Sequence, residues 1–336
     1  NTGALWTNPG EIAGNGIDDD NNGYVDDVNG WNFVGQNNNP DDDNQHGTHC
    51  AGIVLGTGQD IFTRPLATPK IKIMPLKFLN STGGGPTSAA VSAIFYAVRN
   101  GARVLSNSWG GASASRALED AMNFAYQNNA AFIAAAGNAS TNNDVSPTYP
   151  ATYLLPNVVS VAATTDTDVL ASFSNFGPSS VVMAAPGVRI LSSVPNNQYS
   201  YLSGTSMATP FVAGTAALML YERPQMNGYE LKELLLKKSD MVNLSNKVVM
   251  NYRLNVLNSV VAAKTVILTG YKPPYILETA SSASESTPGG GCGLVLNNNG
   301  GGGPEAPPWT SLFLLLPLFI LVSRRLPNPA RAEQYF

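Results

Sequence analysis

Between residues 70 and 186, short apolar runs alternate with stretches of helical periodicity, and this alternation narrows the fold more than any other feature. "KIKIMPLKFL" (70–79) reads as a buried strand. "AAVSAIFYAV" (89–98) sets Val91, Ile94, Phe95 and Val98 on one helical face. A strand in "ARVLSNS" follows, then a helix in "SRALEDAMNFAYQNN" with Leu118, Met122 and Ala125 turned inward. Further strands lie in "AAFIAAAGN", "NVVSVAAT" and "SSVVMAAPG". Strands that are apolar throughout are covered on both faces, and strands separated by helices pair in parallel. The expected class is α/β: three layers, doubly wound, with a mostly parallel sheet and helices on both faces.

"SGTSMATPFVAGTAALMLYERP" then reads as one long buried helix, with Gly214 permitting close packing and Pro224 beyond its end. Pro210 is expected to be tolerated because it falls within about the first turn. "YELKELLLKKSD" and "NYRLNVLNSVV" close a globular domain spanning 1–270. Residues 271–308 are Ser, Gly, Asn and Pro with little to bury, and read as a linker. Residues 309–323 are apolar-leaning and are followed by Arg324 and Arg325, which head a tail over 324–336. The run is shorter than the ~20 residues of an ordinary spanning helix. A Gly-rich neighbour in front and basic residues behind favour a short membrane segment over a buried core helix. The arginines would then lie on the cytoplasmic side and the large domain outside, exported and anchored at the cell surface.

Net charge is -4 with no Lys/Arg stripe, which argues against a nucleic-acid partner. The acids are unevenly spread. Residues 1–44 hold Glu11, Asp18, Asp19, Asp20, Asp26, Asp27, Asp41, Asp42 and Asp43, with no Lys or Arg. "GNGIDDDNNGYVDDVNGW" sets Asp18, Asp20, Asn22, the Tyr24 carbonyl and Asp26 at near EF-hand spacing, with Gly23 at the turn. The closing Glu is replaced by Asn29 and flanking helices are absent, so this is not an EF-hand. Structural calcium held by those five residues is the expectation, and a solvated acidic turn is the alternative. No organic cofactor is expected. Cys50 and Cys292 sit in unrelated contexts, an apolar helix and a Gly-rich tract, so no disulfide between them is expected.

The chemistry must come from few residues. Ser206 stands where a Gly-containing turn becomes the buried helix, beside N–H groups a helix leaves unpaired. Alone, it reads as an ordinary N-cap serine; the flanking Gly204, Thr205, Ala208 and Pro210 are more than a cap requires. A serine nucleophile needs a base, and the chain has two histidines, His46 and His49, both in "HGTHCAGI". Their i, i+3 spacing without an intervening Glu argues against a zinc site. His46 is the candidate base and His49 a structural residue. Asn138, at the end of the strand in "AAFIAAAGN", is placed to donate to a developing oxyanion.

"HGTHCAGI", "SNSWGG", "AAAGN" and "SGTSMATPFVAG", in that order, resemble the subtilases, the subtilisin-like serine proteases; "YPATY" and "SFSNFGP" resemble further segments of that family. The resemblance covers residues ~5–262. It implies a subtilisin-like fold, Ser206 as nucleophile, His46 as general base and Asn138 in the oxyanion hole. It also implies that Gly83, Gly84 and Gly85 and Ser108, Trp109 and Gly110 flank an extended peptide, which they would bind as added strands. Protein or peptide substrates are the implied partners, and a monomer is the expected state. Cys50 becomes a buried neighbour of the site.

A subtilase triad also has an aspartate on a strand N-terminal to the histidine, orienting the imidazole. The sequence shows none. Asp41, Asp42 and Asp43 sit in the loop that delivers His46, without a strand to fix them. Either "NTG" at Asn1 is a degenerate acid motif and the protein is a pseudoenzyme, or the acid and its strand lie upstream of residue 1. Too few residues separate Asn1 from "LWTNPGE" for the first, so truncation is the expectation. The chain as it stands would then be nearly inactive and lack a central strand. The expected function is a serine endopeptidase working through an acyl-enzyme. A catalytically inactive peptide-binding module and a calcium-dependent surface module are the alternatives.

Overall fold

The computed structural model describes residues 3–58, 71–265 and 318–323. The chain divides into a compact unit, 1–266 with 313–336, and a second unit, 267–312, which lies outside the described residues.

Among the described residues, six α-helices and eleven strands run in the order β1 (Trp31–Asn32), α1 (His46–Gly58), β2 (Ile71–Lys77), α2 (Thr87–Arg99), β3 (Val104–Asn107), α3 (Arg116–Gln127), β4 (Ala131–Ala135), β5 (Val158–Thr164), β6 (Met183–Pro186), β7 (Ile190–Val194), β8 (Gln198–Leu202), α4 (Thr205–Glu222), α5 (Gly228–Lys238), β9 (Asp240–Met241), β10 (Tyr252–Arg253), α6 (Val256–Thr265) and β11 (Leu318–Ser323). The strands form a nine-membered sheet, β1-β2-β11-β3-β4-β5-β6-β10-β9, and a separate β7–β8 hairpin. Strands β3 to β6 are parallel neighbours, as their alternation with helices requires. β4 and β5 are buried at every residue, which is why their sequences carry no polar alternation.

The helical faces read from periodicity are largely the buried ones. Leu118, Met122 and Ala125 of α3 are buried, as are Ile94 and Val98 of α2. Val91 and Phe95 are only partly buried, and Phe95 packs against Phe124 of α3 instead. Small residues (Ala89, Ala90, Ala93, Ala97) cover the rest of the α2 inner face.

α4 is buried along most of its length. It crosses α1 so closely that a Cβ on Gly214 would lie 2.8 Å from Thr57 Cβ and 2.9 Å from the Val54 carbonyl oxygen. Pro210 is the sixth residue of α4 and so lies in its second turn rather than its first. A proline there cannot bond to the carbonyl four residues back, that of Ser206. Outside partners satisfy that carbonyl: Ser108 Oγ donates to it at 2.9 Å and Cys50 Sγ at 3.4 Å.

One position in the parallel sheet is filled differently. β2 and β3 are parallel to each other but not adjacent; β11 lies between them, antiparallel to both. Leu318 is the register partner of both Leu76 and Asn107. These six residues fall inside the stretch 309–323 read as a membrane segment, whose remainder lies outside the described residues. A short apolar run suits an inner strand of a sheet as well as lipid, because both require every peptide group paired. Among the described residues no helix is long and apolar enough to cross a membrane.

Replacing Gly214 with Val should force α1 and α4 apart and cost about 1–3 kcal/mol. In urea unfolding the midpoint should fall with the slope unchanged.

Candidate active site

The N-termini of α1 and α4 meet at the end of the sheet where the parallel strands finish, the usual ligand-binding edge of such sheets. His46 is the first residue of α1. Asp42 fixes that helix start: one oxygen accepts from the Asn44 and Gln45 N–H groups, the other from the N–H and hydroxyl of Thr48 at 2.7 Å each. Burial alone would raise the Asp42 carboxyl, but these bonds outweigh it and hold it below its usual range. Asp43 pairs with Lys77 at 2.6 Å. Neither carboxylate is hydrogen-bonded to the His46 imidazole.

The His46 ring is buried and faces Cys50 one turn on, with Nδ1 3.6 Å from the sulfur. Desolvation, with a smaller contribution from His49 and partial relief from Asp42, pulls its pKa down to about 3. It is therefore a neutral imidazole near pH 7, as a general base must be before it acts. Burial pushes the Cys50 thiol up to about 12, so the residue is a free thiol and not a thiolate nucleophile. Cys292 lies outside the described residues.

His49 is fully buried and does other work. Its Nε2 is 3.0 Å from the carbonyls of both Ile190 and Ser200, tethering the β7–β8 hairpin to α1. Nε2 thus carries the proton, and Nδ1 is buried without a partner.

Ser206 is the second residue of α4 and partly exposed. Its hydroxyl donates a long 3.4 Å bond to the Ser108 carbonyl and none to His46. Catalytic hydrogen bonds are often slack before substrate arrives. Cys50 Sγ touches both His46 Nδ1 and the Ser206 carbonyl, so the two residues share one neighbour.

Asn138 follows β4. Its Oδ1 accepts from the Thr205 N–H at 2.8 Å and the Thr205 hydroxyl at 3.0 Å, which settles the amide orientation and leaves Nδ2 as the outward donor. Nδ2 lies beside Gly204; a Cβ there would be 3.4 Å from it and 3.6 Å from the Ser206 nitrogen. Thr205 had no role in the sequence reading. Nor did Asn175, whose amide bonds the Ala136 carbonyl, Asn143 and Thr148 and whose Oδ1 accepts from Ala139 and Thr141, shaping the loop that carries Asn138. Its signal was the buried Asn inside "SFSNFGP".

Gly83 takes φ +81, and Gly85 presses so close that a Cβ would meet the Phe78 carbonyl oxygen at 2.1 Å. The Trp109 side chain is in the core, donating to Asn107 and edge-on to Phe78, so only its backbone can face a ligand. Gly111 pairs with Tyr149. The peptide groups of Gly85 and Gly110 carry no backbone hydrogen bond to any described residue.

In the acidic loop the five sequence candidates separate. The carboxylates of Asp18 and Asp20 come together with Glu11, their ligand atoms within 4.8 Å of one another. Asn22 Oδ1 instead accepts from Tyr24 N–H, and both Asp26 oxygens accept from the Gly14–Gly16 backbone. Glu11 Oε2 is buried without a partner. Desolvation together with nearby Asp27 and Asp20 raises the Glu11 carboxyl.

The subtilase family model matches residues 2–260. Thermitase from Thermoactinomyces vulgaris is 42% identical over 192 residues, 57% of this chain and 67% of that protein. Subtilisin DY from Bacillus licheniformis is 40% identical over 209 residues, 62% of this chain and 75% of the relative. The crystal structure of a cold-adapted subtilisin-like serine proteinase superposes with a TM-score of 0.59 at 35% identity, covering 67% of this chain and 79% of that one. The chain belongs to the subtilase family, with the fold and reaction class of a subtilisin-like serine endopeptidase.

The depressed His46 pKa makes stability pH-dependent with a definite sign. The unfolded imidazole binds a proton below about pH 6.5 while the buried one resists it down to about 3. The His46 contribution is complete above pH ~6.5 and is lost progressively as pH falls towards 3. Acidification from pH 7 to pH 4 should lower the melting temperature, and His46→Asn should flatten that dependence.

Proposed function

We propose that the protein cleaves peptide bonds with Ser206 as nucleophile, His46 as general base, and Asn138 Nδ2 with the Ser206 N–H as oxyanion donors. The observation that carries this reading is that Thr205 fixes Asn138 through Oδ1, leaving Nδ2 as a donor beside Gly204, next to the Ser206 N–H. In the reaction Ser206 Oγ attacks the scissile carbonyl as His46 takes its proton. His46 then returns that proton to the leaving amine, and water releases the acyl group by the same steps. Gly83–Gly85 and Ser108–Gly110 would bind the substrate as a strand on either side, through peptide groups such as those of Gly85 and Gly110. Asn138→Ala should lower kcat by ~10²–10³ with KM little changed.

The triad acid is proposed to come from a strand upstream of Asn1 that takes the sheet position between β2 and β3. This is supported by the engagement of Asp42 and Asp43 elsewhere and by the reversed strand at that position. Anchoring through residues 309–323 would draw Leu318–Ser323 out of the sheet and clear that position. Export to the cell surface, attachment through the C-terminal segment and a monomeric state belong to the same proposal. A fluorophosphonate probe should label Ser206 in the full-length protein and not in Ser206→Ala. An unlabelled Ser206 would favour the second reading, an inactive peptide-binding module, which a histidine without a carboxylate partner also fits.

Calcium is proposed to sit at Glu11, Asp18 and Asp20, three hard oxygen donors of which Glu11 Oε2 has no other partner. Bound there it would neutralise the mutual repulsion of these acids and pin the 10–26 loop. Adding calcium should raise the melting temperature, with the gain abolished in Glu11→Gln; an equal gain in that variant would remove the ion from this loop.

A further inference from the structure

Lys77 closes β2 with its side chain only 8% exposed, a rare place for an ammonium group. Desolvating it is costly, and a hydrophobic residue would fill the same space without that cost. What the ammonium adds is reach to two loops at once. Its Nζ donates to Asp43 Oδ1 at 2.6 Å and to the Leu79 carbonyl at 2.7 Å. Asp43 stands three residues before His46 and next to Asp42, which fixes the start of α1. Leu79 directly precedes the turn that Asn80 builds by accepting from Thr82 and Gly84 and that ends at Gly85. A parallel link, Asn44 Nδ2 to the Ser81 carbonyl at 2.7 Å, joins the same two loops nearer the surface.

We propose that Lys77 is a positioning residue that straps the loop delivering His46 to the loop carrying Gly83–Gly85, holding the base and the peptide-binding edge at one fixed separation. The inference rests on the roles proposed above for His46 and the glycines. Lys77 suits the task because three donors radiate from one compact point, enough to serve both acceptors at once. Cutting the strap frees Asp43 and leaves the Leu79 carbonyl buried and unpaired, so the loops should drift apart and admit water beside His46.

The test uses the two imidazoles, which are the only ones in the chain. His46 and His49 are titrated by NMR in the full chain, in Lys77→Met and in Lys77→Arg. The groups acting on His46 are Asp42, His49 and Cys50, and the substitutions change none of them. The expected result in Lys77→Met is a rise of the His46 pKa by one unit or more as its desolvation is relieved. His49, held by the hairpin carbonyls, should keep its own value, and Lys77→Arg should recover most of the effect. With a peptide substrate, Lys77→Met should lower kcat about tenfold and raise KM severalfold, again with partial recovery in Lys77→Arg. Should Lys77→Met not fold, Asp43→Ala removes the acceptor at the half-exposed end of the same link and should move His46 in the same direction. A lowered melting temperature with both imidazoles, kcat and KM unchanged would overturn the proposal and leave Lys77 a structural residue. A parent protein that hydrolyses nothing would count against the enzyme reading alone, and the imidazole titration would still decide the strap.

Discussion

The Val54 carbonyl lies 2.9 Å from where a side chain on Gly214 would begin, and this bare approach of α1 to α4 sets the position of everything at the active edge. α4 can cross so near only because both helices are small-residue surfaces at the contact, with Gly214 on one and Thr57 on the other. The crossing places two helix N-termini, with their unpaired N–H groups, at the same end of the sheet. One terminus is stabilised by a carboxylate, Asp42. The other starts at Gly204, has no side-chain cap, and leaves the Ser206 N–H available to an incoming charge.

The proline in α4 adds a second constraint. By withdrawing the intrahelical partner of the Ser206 carbonyl, Pro210 turns a backbone group that would be consumed within the helix into an acceptor for β3 and α1. Ser108 and Cys50 both use it. Three chain segments far apart in sequence are thereby referenced to one peptide unit, that of the nucleophile. The thiol of Cys50 is suited to this because burial keeps it protonated and able to donate.

The fold was legible because the sheet core is written as unbroken apolar runs, and because α3 places Leu118, Met122 and Ala125 on a single face. α2 was less so: its inner face is alanine, and periodicity of the larger residues picked Val91 and Phe95, which the sheet only half covers. His46, Ser206 and Asn138 stood out as residue types at helix starts and a strand end. Their supports did not. Thr205 and Asn175 act through hydrogen bonds across 67 and 32 residues of chain, which no local pattern reveals. In the acidic loop, spacing set Asp18, Asp20, Asn22 and Asp26 together; the folded loop brings Glu11, which lies outside that spacing, beside Asp18 and Asp20, a proximity that no local pattern reveals. Pro210 was judged by its distance from the helix start, when its neighbours in space decided the matter.

The β7–β8 hairpin shares no strand with the main sheet, and its hold on the domain runs largely through α1. His49 grips the Ile190 and Ser200 carbonyls, while Ser192 and Ser193 bond the carbonyls of His49 and Thr48. The hairpin is therefore held to α1 by a handful of hydrogen bonds centred on His49, the kind of attachment expected of a unit that opens locally. Its outer face carries Leu191, Tyr199 and Tyr201 in the open, so little apolar burial resists its release. Amide protons of β7 and β8 should exchange through an opening that leaves β3 to β6 intact. The hairpin's anchors on α1, Thr48 and His49, lie in the first turn of the helix, where Asp42 also binds Thr48 and so holds the start of α1 independently of the hairpin.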